Sequence, residues 1–134
     1  MIDVEVLGAG REPVPLAPRE VRRLCVLTAG RMGVEQAHVA VEFVDAQRIA
    51  QLNGEHRNRP VPTDVLSFPI DGAAARSSTV VPVELGDVVI CPEHTVDLRE
   101  AVVHGILHLL GMDHETDDGE MLELQRELLA GARG

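Results

Sequence analysis

HGILHLLGMDH, residues 104–114, places three histidines within eleven positions, and its reading decides how the rest of the chain folds. From Ala101 to Leu110 the residues are apolar nearly all round, interrupted only by His104 and His108. A helix apolar on every face belongs inside a protein, so the segment predicts a buried central helix with the other elements arranged around it. Asp97 and Glu100 stand at capping-box spacing ahead of it, and Gly111 behind it permits a left-handed stop.

Working outward, IDVEVL (2–7) alternates apolar and polar and predicts a strand. After the Pro-rich PVPLAP, residues 19–32 predict an amphipathic helix with Val21, Leu24, Cys25 and Thr28 on its apolar stripe, ended by Gly30 and Gly33. HVAVEFV (38–44) is a second strand, with Val39, Val41 and Phe43 on one side. Asp45 caps a short helix through about Asn53, and GEHRNRPVP (54–62) reads as a polar loop. TDVLSFPI (63–70) and LGDVVIC (85–91) are strand-like, and the small, polar DGAAARSSTVVP (71–82) between them is a loop. A last amphipathic helix begins near Asp118, with Met121, Leu124 and Leu128 on one face. The expectation is an α/β fold in the broad sense, a single mixed sheet of about four strands packed with helices. It forms one domain over residues 1–134 and carries a metal site on the buried central helix.

Composition narrows the setting. At 134 residues, 45% hydrophobic and 25% charged, the chain suits a soluble globular domain. No apolar run approaches the ~20 residues of a membrane span. The N-terminus lacks the basic and apolar regions of a signal peptide. A cytoplasmic protein without a membrane partner is expected. Cys25 and Cys91 lack CxxC spacing and read as two separate buried thiols. The net charge of −10 at first argues against a nucleic-acid partner, and no DNA partner is expected. The charge is uneven, though: residues 93–134 hold ten acids and three bases, against twelve and nine in residues 1–92. Arg11, Arg19, Arg22, Arg23, Arg31, Arg48, Arg57 and Arg59 leave room for a locally basic face.

The histidines carry the chemistry. His104 and His108 project one turn apart from one face of the helix, and a left-handed turn at Gly111 brings His114 back towards them. Three nitrogens with an open fourth position are the arrangement of a catalytic zinc, one Zn2+ per chain. The competing reading is a set of hydrogen-bonded core histidines, but burying three imidazoles without partners costs several kcal/mol. His38, His56 and His94 lie outside the spacing. In a protease of the HExxH type, a glutamate follows the first histidine and takes a proton from water. Here that position is Gly105, which weakens a peptidase reading. Phosphodiesters remain open: zinc lowers the pKa of bound water towards ~7, and an arginine can stabilise phosphoryl charge. Asp113 and Glu115, flanking His114, read as orienting groups ahead of a catalytic base.

HGILHLLGMDH resembles the HGxLHLxGxDH signature of the YbeY-type bacterial endoribonucleases, the rRNA maturation factors. LNGEHRNRPVPTDVLSFP (52–69) resembles that family's Asn–Arg–TDVLSFP segment, and LGDVVIC its LGD strand. The resemblance implies a zinc-dependent, single-strand-preferring endoribonuclease in 16S rRNA 3′-end maturation and ribosome quality control. Its partners would be the rRNA precursor and the small ribosomal subunit or its proteins. By the same resemblance His104, His108 and His114 are metal ligands, Arg57 is the functional arginine, and Asp64 and Ser67 shape the cleft wall. The chain departs from the family in a short segment between Cys91 and His104, in His56 and Met112 where aromatics are common, and in having only Phe43 and Phe68 as aromatics. Two other functions compete: a metallopeptidase of reduced HExxH type, and a non-enzymatic ribosome assembly factor whose metal pins the buried helix.

Overall fold

The computed structural model describes residues 2–8, 15–71 and 83–133. Arg11, the start of the Pro-rich turn and residues 72–82 of the loop expected over 71–82 lie outside the described residues. The elements run β1 (Ile2–Leu7), α1 (Pro18–Arg31), β2 (Ala37–Phe43), α2 (Ala46–Arg57), β3 (Val65–Pro69), β4 (Val83–Ile90), a 3₁₀ turn (Pro92–His94), α3 (Leu98–Leu109) and α4 (Glu120–Arg133).

The strands form one mixed sheet in the order β1-β2-β4-β3. β1, β2 and β4 are parallel, and β3 returns antiparallel along β4. Between β2 and β4 the register slips: His38 pairs with Glu84, but Val39 pairs with Gly86. Leu85 is the extra residue of a bulge, and Gly86 takes φ +131° beside it. A side chain at Gly86 would run into the carbonyl oxygen of Phe68 on β3, so only glycine fits. The bulge resets the alternation, so that Leu85, Val88 and Ile90 all reach the main core.

One face of the sheet carries α1, α3 and α4. Val21 and Leu24 of α1, Val102, Val103, Ile106 and Leu107 of α3, and Met121 of α4 meet Val39, Val41 and Phe43 of β2 in one cluster. Each fully buried Leu, Ile or Phe contributes about 1.5–3 kcal/mol relative to exposure. The central helix is therefore held by the core as expected. α2 lies on the other face, where Ile49 and Leu52 pack on Leu66 and Val89 in a smaller cluster. That second cover explains why Ala40 is buried as well as the Val39–Phe43 stripe expected from alternation. Cys25 and Cys91 are free and buried, and burial pushes the Cys25 thiol up to about 12.

Two helix boundaries differ from the sequence expectation. α2 continues through Arg57 instead of stopping near Asn53. Gly54 does not break it; the bare Cα leaves room for Pro60, which a Cβ would approach to 3.1 Å. The stop comes at Asn58, whose left-handed backbone caps the helix. α4 starts at Glu120, two residues later than expected, because Asp117 accepts from Gly119 N and Met121 N and closes its first turn.

Candidate metal centre

The local sequence builds the site in three steps. Asp97 caps α3 by accepting from Arg99 N at 3.0 Å and Glu100 N at 3.2 Å. α3 then lies against β4 at Gly105, where a Cβ would stand 2.5 Å from Val88 Cγ1. The Ser67 hydroxyl donates to the Gly105 carbonyl at 3.3 Å and ties β3 to the same turn of helix. The volume a glutamate would need at position 105 is thus filled by the sheet. At its far end α3 finishes in a Schellman turn. Gly111 N–H reaches His108 O at 3.0 Å, Met112 N–H reaches Leu107 O at 3.1 Å, and Gly111 has φ +97°. Asp113 holds the following turn by accepting from Glu115 N at 3.0 Å.

This brings His104, His108 and His114 together, with one ligand atom of each within 4.8 Å of the others. The Nε2 atoms of His104 and His108 are 3.1 Å apart. Two nitrogens each ~2.0–2.1 Å from one tetrahedral zinc would stand about 3.3 Å apart. The hydrogen bonds fix which nitrogens are free. His108 Nδ1 lies 2.9 Å from the Met112 carbonyl, which can only accept, so the proton sits on Nδ1 and Nε2 keeps its lone pair. His104 Nδ1 donates in the same way to Gln125 Oε1 at 2.9 Å. Two lone pairs then face each other, and His114 Nδ1 is buried without a partner. Burial first, and the neighbouring His104 second, hold His108 below the ordinary imidazole range, so it is neutral at neutral pH. Three converging ring nitrogens suit a cation.

The tripod opens on a cleft of about 630 Å³ that Arg57, Thr63, Asp64, Ser67, Asp113 and Glu115 also line. Arg57, the last residue of α2, is exposed and lines the same cleft as the histidines. Asp64 braces the start of β3: its carboxylate accepts from Val65 N at 2.8 Å, and its carbonyl accepts from Cys91 N at 2.8 Å. Of the remaining histidines, His38 bonds Glu84, and His56 packs at a tilt against Phe68 with ring centroids 4.8 Å apart, away from the tripod. His94 lines a smaller hollow of about 340 Å³ that also touches Asp64 and His104.

Gln125, which holds His104 through the hydrogen bond at Nδ1, is not singled out by the sequence reading. Its signal was a polar side chain at helical spacing from Met121, Leu128 and Ala132 on the apolar stripe of α4.

The chain matches the family model described as Endoribonuclease YbeY over residues 17–133. It is 36% identical to the endoribonuclease YbeY of Rubrobacter xylanophilus across 98% of this chain and 96% of that one. Against the Thermobifida fusca protein of the same name, identity is 40% across 93% and 92%. The Bacillus subtilis protein shares 37% across 83% of each. Among solved structures, the solution structure of TM1509 from Thermotoga maritima superposes with a TM-score of 0.60 at 26% identity, covering 96% of this chain and 88% of that one. With its fold and its sequence both matched, the chain belongs to the YbeY endoribonuclease family.

Proposed function

We propose that the chain is a zinc-dependent endoribonuclease that cuts single-stranded RNA during 16S rRNA 3′-end maturation and ribosome quality control. It acts as one cytoplasmic domain over residues 1–134, with the small ribosomal subunit or its proteins as partner. Family membership supports the RNA substrate and the hydrolytic activity. The observation that carries the reading is one cleft lined both by three converging imidazoles and by an exposed guanidinium.

A zinc ion held by His104, His108 and His114 would supply Lewis-acid polarisation of a water or a phosphoryl oxygen. Arg57 supplies the rest: its fork can take two phosphate oxygens and offset the charge that builds on them during bond breaking. The Met112 carbonyl and Gln125 hold the rings in the tautomers that turn Nε2 to the cleft. RNA is gripped by its phosphates, because neither phenylalanine lines the cleft: Phe43 is buried, and Phe68 lies against His56. The acidic rim of Asp113 and Glu115 repels a polyanion and steers it to the Arg57 side. A peptidase reading lacks its base, since position 105 faces Val88.

The test is cleavage of an end-labelled single-stranded RNA by wild type and by His108→Ala, each with zinc and with chelator. Cutting by zinc-loaded wild type alone supports the reading. Equal cutting by both proteins sinks it. If neither cuts while wild type still binds ribosomal particles, the assembly-factor reading takes its place. A 2′,3′-cyclic phosphate on the product would identify the ribose 2′-OH as nucleophile.

A further inference from the structure

Three polar side chains are buried among the described residues: Thr28, Asn53 and Gln125. Thr28 bonds the Leu24 carbonyl one turn back, and Asn53 donates to the Val61 carbonyl, so both serve local backbone. Gln125 does not. It is 7% exposed, sits on α4 outside the histidine motif, and reaches His104 Nδ1 at 2.9 Å.

We infer that Gln125 is a positioning residue whose side-chain amide decides which nitrogen of His104 carries the proton, and so whether the tripod is open to a metal; this rests on the metal reading above. A neutral imidazole has one N–H. With the Gln125 oxygen facing it, that N–H is on Nδ1 and the Nε2 lone pair faces the cleft. An amide also has a donor end. Turned over, it would give a hydrogen to Nδ1 and leave the proton on Nε2. His108 Nε2, 3.1 Å away, would then accept that proton and tie the site shut. His108 has no such choice, because a backbone carbonyl only accepts. The state of one ligand is therefore set from a different helix. At position 125, glutamate would accept only, holding the open form, and methionine would do neither.

The experiment measures Zn2+ affinity of the metal-stripped full chain by competition with a chromophoric chelator, for wild type, Gln125→Glu and Gln125→Met. Gln125→Met should bind zinc about 10- to 100-fold more weakly, and Gln125→Glu at least as tightly as wild type. Comparable affinity of Gln125→Met and wild type, or weak binding by Gln125→Glu, overturns the inference. Should Gln125→Met fail to fold by circular dichroism, Gln125→Glu decides alone. Its metal-free His104 must carry the proton on Nδ1 by 15N NMR, and the Nε2–H tautomer overturns the inference. A wild type that takes up no zinc would remove the metal reading itself. A wild type that binds, matched by Gln125→Met, would remove only the role of Gln125.

Discussion

The two walls of the cleft are built in opposite ways. The histidine wall extends the core: α3 lies between the sheet and two other helices, seated by Gly105 against Val88 and ended by a Schellman turn. The arginine wall is the exposed end of a helix, with Arg57 just ahead of a left-handed Asn58 and a loop tied back through Asn53. The difference follows from what each wall must do. Ligand nitrogens need placement within about 0.5 Å, which only packed neighbours provide. A guanidinium on a flexible stem tolerates more error and must stay wet to meet a polyanion. Errors in the first wall should cost folding or metal; errors in the second should cost only turnover.

The largest effect sharpens the first half of that statement. His108→Ala should weaken zinc binding by more than about 100-fold, beyond the loss of an orienting partner. It should abolish cleavage and leave a melting temperature that zinc no longer raises. Arg57→Ala tests the second wall. Cleavage should fall about 10²–10³-fold, while zinc affinity holds and stability stays within about 0.5 kcal/mol. Arg57→Lys should recover part of the rate, having the charge without the fork. A large loss of stability in Arg57→Ala would break the comparison.

Gly105→Ala probes the seat of α3. The new methyl meets Val88, so urea unfolding should show a loss of about 1–3 kcal/mol from overpacking, net of the ~1 kcal/mol that alanine gains in helix propensity. Val88→Ala in the same chain should return part of it. A neutral Gly105→Ala would mean that the histidine wall is not set by this contact. The smallest effect lies on neither wall. The hydrogen bond to Glu84 is the main cause holding the half-buried His38 above its ordinary value of 6.5. Whatever that pair contributes is complete below 6.5 and fades as pH rises through the raised value. NMR titration should find His38 upshifted in wild type and returned towards 6.5 in Glu84→Gln, with cleavage unchanged.

What was legible in the sequence follows the same division. The tripod could be read because its spacing is local: i, i+4, and a glycine turn are properties of one helix and its stop. The mixed sheet and the buried α3 followed from hydrophobic pattern. The end of α2 was misplaced because Gly54 looks like a breaker, and only the packing of Pro60 over it shows why it is not. Only its flanking motif sets Arg57 apart from Arg59, and its placement in the cleft depends on how α2 and β3 meet. Gln125 was visible only as a polar interruption, since the partner that explains it is 21 positions away on another helix. The bulge at Gly86 was hidden for a similar reason, being set by Phe68 on a neighbouring strand.

Gly105 also governs what this fold can become. In sequence the chain is one substitution from the HExxH pattern, and a library screen would cross that gap in a single step. In space the neighbourhood is crowded, because a Cβ at that position would stand 2.5 Å from a Val88 methyl on β4. Opening it would require emptying Val88 and moving the strand or the helix, and each intermediate would fold worse than its parent. The metal-binding scaffold is thus separated from peptidase chemistry by a stability barrier that its sequence does not display.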